Sequence, residues 1–403
     1  MGQYLELDRC VACGASELFE VLDLGNQPLA NDYLDVAFPH QLFPLVLNAC
    51  SICFHMQLSV AVDPARLFRS YSYVSGTSNT LLNYFKWLRD RILADFKKPG
   101  KILDIGSNDG TFLSTFNDSS WKKIGVDPAS NLVSMALNNG VITLPTFFNQ
   151  DTADLLATDF DVIVAMNVFA HTSDPLEILN GIKRALSPDG TVYIQTSQAN
   201  ILKLYQFDTV YHEHISFFNV RSMKLLLSRA GLALKNVEMV PVHGESYLWV
   251  ITHDGGVLSK TQREIDEEGD GLYDLESYSN FKLEALSQIG KVKAAISEHV
   301  DMGYAIASYG AAAKGNTFLN FGRINLDFVF DDTPLKIGRF APAGNCKVSE
   351  PSTMKQIESP VLFLIPAWNF KSEILANISR IRENKLGDKF LVYYPDFEMG
   401  PIN

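Results

Sequence analysis

Two groups of residues in this 403-residue chain have the types and spacing to do chemistry. The first is the run Tyr211-His212-Glu213-His214, a phenol, two imidazoles and a carboxylate in four positions, using two of the chain's 8 histidines. Imidazole titrates near neutral pH and a neighbouring carboxylate orients it, so the run reads as proton-transfer machinery. In an extended segment Tyr211 and Glu213 would share one face and His212 and His214 the other, a split that a loop or helix start relaxes. The second group is Cys10-Val-Ala-Cys13 with Cys50-Ser-Ile-Cys53. Two C-x-x-C pairs offer four thiolates to one tetrahedral ion, although the gap between them exceeds the commonest ribbon spacing. Two disulfides or unrelated buried thiols are the competing readings. A closed four-thiolate zinc site has no open coordination position, so its expected role is structural. His55, close by, is read as incidental.

These residues need elements to hold them. Lys101–Ile105 reads as a short buried strand, and Gly106-Ser-Asn108-Asp-Gly110 turns it into a helical pattern. The string ILDIGSNDG is neither G-x-G-x-x-G nor a phosphate-binding loop with its lysine. Its acidic residues, Asp104 and Asp109, suit a cationic or neutral ligand better than a pyrophosphate. The next strand ends in Asp127, placed to accept both hydroxyls of a ribose. Phe147, Phe148 and Asn149 follow as candidates to flank an adenine, and a later strand, Phe160–Ala165, runs into Asn167. These strand ends in this order resemble a class I S-adenosylmethionine-dependent methyltransferase. A nicotinamide-type Rossmann domain with an atypical loop is the alternative.

Further along, Pro175–Leu186 is an amphipathic helix and Thr191–Thr196 a strand. Residues 259–303 are charged with helical period and read as a solvated connector. A second α/β unit begins at Tyr304, where Ser308-Tyr-Gly-Ala-Ala-Ala-Lys314-Gly-Asn316 opens a helix whose amides, with Lys314, suit a phosphate. A scaffold with a vestigial loop is the competing reading. The fold class is therefore α/β: an N-terminal zinc-binding module (1–75), a central class I methyltransferase Rossmann-like domain (76–258) and a C-terminal second Rossmann-like domain (259–403). A net charge of −12 with 20% charged residues argues against nucleic-acid binding. No apolar stretch approaches the length of a membrane helix. Met1–Cys10 has neither a basic start nor an apolar core, so a cytoplasmic location with reduced cysteines is expected.

Taken with Leu22–Asn31, Tyr71–Ser75, Asn167-Val-Phe-Ala-His171 and Tyr211–His214, the whole chain resembles the sugar C-methyltransferases of branched-chain deoxysugar biosynthesis. The closest likeness is to C-3-methyltransferases acting on nucleotide-linked 4-keto-6-deoxyhexoses. Phe54 stands where that family has glycine, and Glu245 interrupts its His-Gly-Gly-Ser string. The resemblance implies S-adenosylmethionine held by Asp104, Gly106, Asn108, Asp127, Phe148, Asn149 and Asn167, with structural zinc on Cys10, Cys13, Cys50 and Cys53. It points to His214 as the base that makes a sugar enolate, with His212 or a tyrosine as alternatives. It also implies Glu213 as the neighbour orienting that base, and Tyr211 and His171 as donors near the keto oxygen. Tyr71 or Tyr73 closes the pocket, Lys314 and His243 touch substrate, and the enzyme is a monomer. Rival readings are an O- or N-methyltransferase, a nicotinamide-dependent sugar oxidoreductase or epimerase, and a zinc-ribbon interaction protein with an inactive methyltransferase body.

Overall fold

The structure is a computed structural model. It describes all residues except 1–2, 70, 72–73, 78, 97, 157–158, 198–199, 243, 254–260, 345, 384–386 and 403, and it omits the side chains at 77, 79, 197 and 369. The chain divides into two compact units. One comprises Met1–Phe19, Asn48–Asn200 and Glu213–Tyr273; the other Glu20–Leu47, Ile201–His212 and Asp274–Asn403. These units cut the chain differently from the three successive segments expected from the sequence. The zinc-bearing residues share a core with the cofactor sheet: Cys10, Cys50 and Cys53 belong to the same buried cluster as Leu103, Ile163, Met223 and Leu226.

The first unit is built on a seven-stranded sheet. In sheet order its strands are Ala233–Val240, Ser246–Thr252, Leu186–Ser197, Phe160–Met166, Lys101–Ile105, Lys122–Val126 and Ile142–Leu144. The last five run parallel, while Ser246–Thr252 is antiparallel to both its neighbours. Parallel strands covered on both faces read as continuous apolar runs, because alternate side chains enter different cores. Leu103, Ile163 and Ile194 point into one core, and Ile102, Val164 and Tyr193 into the other. The second core is closed by the helix Asn79–Asp95, which contributes Leu81, Tyr84, Phe85, Leu88 and Ile92.

The second unit carries a six-stranded sheet in the order Val348–Ser349, Phe328–Phe330, Ala305–Tyr309, Val361–Leu364, Lys389–Val392 and Glu398–Pro401, parallel except for the final strand. The charged stretch read as one solvated connector is two helices, Gln262–Gly269 and Leu275–Asp301. Both bury residues. Glu267 is almost completely buried, accepting bonds from the Tyr247 hydroxyl at 2.8 Å and the Val220 amide at 2.9 Å, and one from the Tyr273 hydroxyl. Charge counts along a helix do not reveal that one carboxylate has found three donors elsewhere in the chain. No helix among the described residues is long and apolar enough to cross a membrane.

Candidate active site and metal centre

Cys10, Cys13, Cys50 and Cys53 bring their sulfurs within 4.8 Å of one another. The Cys10–Cys53 and Cys13–Cys50 separations are 3.5 and 3.6 Å. A disulfide would need about 2.05 Å, whereas thiolates about 2.3 Å from a tetrahedral zinc lie roughly 3.8 Å apart, so the spacing fits a metal. Each knuckle closes with a backbone turn, Gly14 N to Cys10 O and Phe54 N to Cys50 O, both 2.8 Å. Phe54 takes the left-handed conformation (φ 57°), a strain that glycine would avoid. Its ring packs edge-on against Tyr273, with centroids 5.8 Å apart, which gives the larger residue a compensating contact. Bonding between Cys53 and Cys10 holds Cys10 well down and drives Cys53 up, while burial pushes Cys13 up to about 11. Such a set is relieved by a divalent cation. His55 is buried and held down to about 4 by desolvation, hence neutral. Its Nε2 sits 3.3 Å from Ser216 Oγ rather than in the metal set.

At the carboxyl edge of the seven-stranded sheet the loop after Lys101–Ile105 forms the candidate cofactor cradle. Gly106 has φ 74°, and a Cβ there would lie 3.0 Å from the Val168 side chain, so no other residue fits without displacement. Asp127 accepts from the Asn108 and Ala129 amides, both at 2.8 Å. Burial keeps its carboxyl above the ordinary value despite those bonds. Asp104 is raised well above its ordinary value by burial, then by repulsion from Asp127 and Asp109. Among the described residues none of these three aspartates forms an ion pair. One Asp104 oxygen and the Asn167 oxygen are buried without a hydrogen-bond partner. A buried carboxyl repelled by two neighbouring aspartates, beside unfilled acceptors, fits a cationic donor-bearing ligand, and S-adenosylmethionine carries a sulfonium and an ammonium. Two adenine candidates are otherwise engaged. Phe148 belongs to the core, and the Asn149 side chain caps the helix Gln150–Leu155 by accepting from Thr152 N at 2.8 Å. Phe147 is the half-buried ring at this strand end.

Of the residues proposed for proton transfer, His171, Glu213 and His214 lie in the same unit. His214 lies 5.2 Å from His171, centroid to centroid, and His171 stacks on Phe68 at 5.6 Å. Phe68 meets Tyr71 edge-on at 5.9 Å, and the Tyr71 hydroxyl donates to Glu213 Oε2 at 3.3 Å. Tyr71 is clamped by Asn131, which accepts from its amide at 3.1 Å and donates to its carbonyl at 2.8 Å. Asn131 lies on the helix that follows Asp127, so the ring ladder is tied to the cofactor edge. Glu213 and His214 are both nearly buried, and residues 211–213 form a bend and turn, so the strict alternation of a strand does not apply. His212 belongs to the second unit, where its Nε2 lies 3.2 Å from Pro44 O and burial holds it down to about 4. Tyr211, half-buried, also falls in the second unit. Lys314 lies there too, its ammonium 4.9 Å from the Trp368 ring centroid and attracted by Asp208. Tyr73 and His243 lie outside the described residues.

Sequence reasoning missed Phe68, Asn131 and Asn219. Each is a common, uncharged residue outside any motif; only Asn219, three positions before Ser222 at a helix start, carried a capping signal.

Comparison with known proteins matches three successive stretches of the chain. A zinc binding domain model matches residues 10–68, a methyltransferase domain model 81–237, and a C-methyltransferase C-terminal domain model 241–395. The chain is 30% identical to C-methyltransferase NovU of Streptomyces niveus over an aligned length of 406, covering 97% of this chain and 96% of that protein. It is 24% identical over 151 residues to the ubiquinone biosynthesis O-methyltransferase of Hydrogenovibrio crunogenus, covering 33% of this chain and 62% of the other. The crystal structure of the PH0226 protein of Pyrococcus horikoshii aligns with 47% of this chain and 97% of its own, with a TM-score of 0.37 and 17% identity.

Proposed function

The chain belongs to the C-methyltransferase family and is an S-adenosylmethionine-dependent enzyme, and from that premise we propose that it methylates C3 of a nucleotide-linked 4-keto-6-deoxyhexose through an enolate. The observation that carries this reading is the pairing of His214 with His171 beside the Tyr71-bonded Glu213, within the unit that bears the cofactor edge. The saturated carbon beside a ketone is not nucleophilic until a proton leaves it, so methylating it needs a base where methylating an oxygen often does not. A keto group at C4 makes the C3 proton acidic. His214 takes that proton; the C–H electron pair becomes the C3–C4 double bond and the charge moves to the C4 oxygen. Glu213, fixed by Tyr71, orients the imidazole and stabilises its charged form. His171 donates to the developing oxyanion, and the burial of this cluster strengthens these charge interactions. When bound, S-adenosylmethionine supplies an electrophilic methyl group, which C3 takes up as the keto group re-forms. Asp127 would hold its ribose, Asp104 and the loop from Gly106 its methionine end. Zinc on the four cysteines supplies rigidity and no reaction step.

Tyr73, Tyr211, His243 and Lys314 stay in the proposal on sequence grounds, Lys314 with the nucleotide end of the substrate. The same reading places the enzyme in the cytoplasm, as a monomer. The test is incubation with S-adenosylmethionine and a panel of dTDP-, GDP- and CDP-linked 4-keto-6-deoxyhexoses in deuterated water. One member should gain a methyl group at C3; with S-adenosylhomocysteine in place of the methyl donor, the same sugar should exchange its C3 hydrogen for deuterium, and His214→Gln should abolish both. Methylation only of oxygen or nitrogen acceptors would sink the proposal.

A further inference from the structure

The segment that carries the base is joined, residue by residue, to the segment that leaves the metal site. Asn219 donates both its amide hydrogens to the second knuckle, to Phe54 O at 2.7 Å and to Cys53 O at 3.2 Å. One step back, Phe218 packs on the His55 ring with centroids 4.7 Å apart. Phe217 then pairs with Met56 and Ser216 with Gln57 as antiparallel strands, and the Ser216 hydroxyl also meets His55 Nε2. Finally Ile215 O accepts from Leu58 N at 2.9 Å. Each step from Asn219 toward His214 thus matches one step from the metal ligand Cys53 toward Leu58. The first knuckle is tied in as well: Gln57 accepts from Val11 N at 2.8 Å and donates to Arg9 O at 2.9 Å.

Asn219 has a second task. Its Oδ1 accepts from Ser222 N at 2.8 Å, capping the helix Val220–Ala230, and Ser222 Oγ in turn accepts from the Asn219 backbone N–H at 3.1 Å. Asparagine, aspartate and serine cap helices about equally well. Capping alone therefore does not account for an asparagine. Only its amide offers an acceptor to the helix and two donors to the knuckle carbonyls together. The other end of the helix is held by Arg229, whose guanidinium donates to Ala12 O of the first knuckle at 2.6 Å.

We propose that the four-cysteine centre is a positioning element for the reaction, and that Asn219 is the positioning residue that couples it to His214. The inference rests on His214 being the base. It adds a cause for that base's placement: the knuckle fixes the strand, the strand fixes residues 215–219, and His214 is the next residue along. A displacement of about 1 Å at a reacting group costs on the order of 100-fold in rate, so a looser strand would be felt in the chemistry.

The test uses the full-length, zinc-loaded chain. Asn219→Ser keeps the helix-cap acceptor and removes the donors to Cys53 and Phe54; Asn219→Ala removes both. The ring resonances of His214, assigned by their loss in His214→Gln, are followed by NMR without substrate, with His299 of the second unit as internal reference. Expected for Asn219→Ser are unchanged zinc content and S-adenosylmethionine affinity, a shifted His214 resonance, an unmoved His299, and C3 exchange slowed roughly 10-fold to 100-fold at unchanged KM. Replacing zinc by the larger cadmium ion should move the same His214 resonance in the unmutated chain. A wild-type His214 resonance in both Asn219→Ser and the cadmium form would overturn the coupling, and so would a loss confined to Asn219→Ala, which would leave helix capping as the whole role. Failure of the unmutated enzyme to exchange any keto sugar would instead count against the proposed reaction, while the resonances still decide the coupling.

Discussion

Both sheets of this chain repeat one local plan: a buried strand, a glycine at positive φ, a helix, and a second strand closed by an aspartate the same number of residues further on. In the first unit these are Gly106 and Asp127, in the second Gly310 and Asp331. The two aspartates are buried alike and each accepts two backbone amides, Asn108 and Ala129 for one, Ala311 and Thr333 for the other. Their charges are handled in opposite ways. Burial leaves Asp127 above its ordinary value. Burial also raises Asp331, but the Lys336 ammonium, 3.3 Å away, and bonds from Thr333 and Ala311 outweigh it and leave that carboxyl below its ordinary value. In the same unit burial lowers Lys314 and raises Asp208, each opposed by the attraction of the other. In the first unit an Asp104 oxygen and the Asn167 oxygen are buried without a hydrogen-bond partner, and burial with repulsion from Asp127 and Asp109 holds Asp104 well above its ordinary value. One strand–loop–helix plan can thus leave its closing aspartate without a cationic partner or pair it with one, and packing around the loop decides which.

The sharpest way to break this contrast is Asp127→Ala. Calorimetry should show S-adenosylmethionine binding weakened on the order of 100-fold, about 3 kcal/mol, because a buried ligand hydroxyl pair loses a charged acceptor. Affinity within threefold of the unmutated chain would place the ribose elsewhere. Asp331→Ala should behave differently. It strands the Lys336 ammonium in a largely buried setting, so denaturant unfolding of the second unit should lose about 2 kcal/mol, with S-adenosylmethionine affinity unchanged. A loss of cofactor binding in that variant would remove the distinction between the two aspartates. The smallest effect is in pH. A bound cation needs Asp104 ionised, and Asp104 keeps its proton to well above its ordinary 3.8. Cofactor affinity should therefore fall as pH is lowered through that raised value, by up to about tenfold per unit. The same shift means the folded chain binds this proton more tightly than the unfolded chain, so stability declines as pH rises from 3.8 through the raised value. Asp104→Asn should then flatten the pH dependence of affinity and raise the melting temperature at neutral pH; a lowered melting temperature would contradict the account.

The parts of the site that were legible in the sequence are those where a chemical requirement forces residue type and spacing together. Four thiolates on one ion demand paired C-x-x-C, and Cys10, Cys13, Cys50 and Cys53 do converge. A loop that must pass Val168 at close range demands Gly106. At the third strand end, by contrast, three candidates sat side by side in Phe147, Phe148 and Asn149. Only the packing sorted them, sending Phe148 into the core and giving the Asn149 oxygen to a helix end. The Tyr211–His214 run shows the same limit. Four adjacent side chains offered no ranking by spacing, and the contacts made in the fold distinguish them: His212 Nε2 lies 3.2 Å from Pro44 O, while Glu213 accepts from the Tyr71 hydroxyl.

By itself, then, the amino-acid sequence determined the metal set, the two strand–loop–helix plans and the stock of titratable groups, because these depend on local backbone geometry and short-range spacing. What only the tertiary structure decided is which charges stay unpaired and which rings meet. Phe68 reaches His171, Tyr71 reaches Glu213, Asn219 reaches Cys53 and Lys336 reaches Asp331 through packing, and all but the last of these partners are distant in the chain. Burial gives these contacts their strength, since a polar group removed from water must be satisfied by whatever the fold brings to it, and no periodicity in the chain encodes that partner.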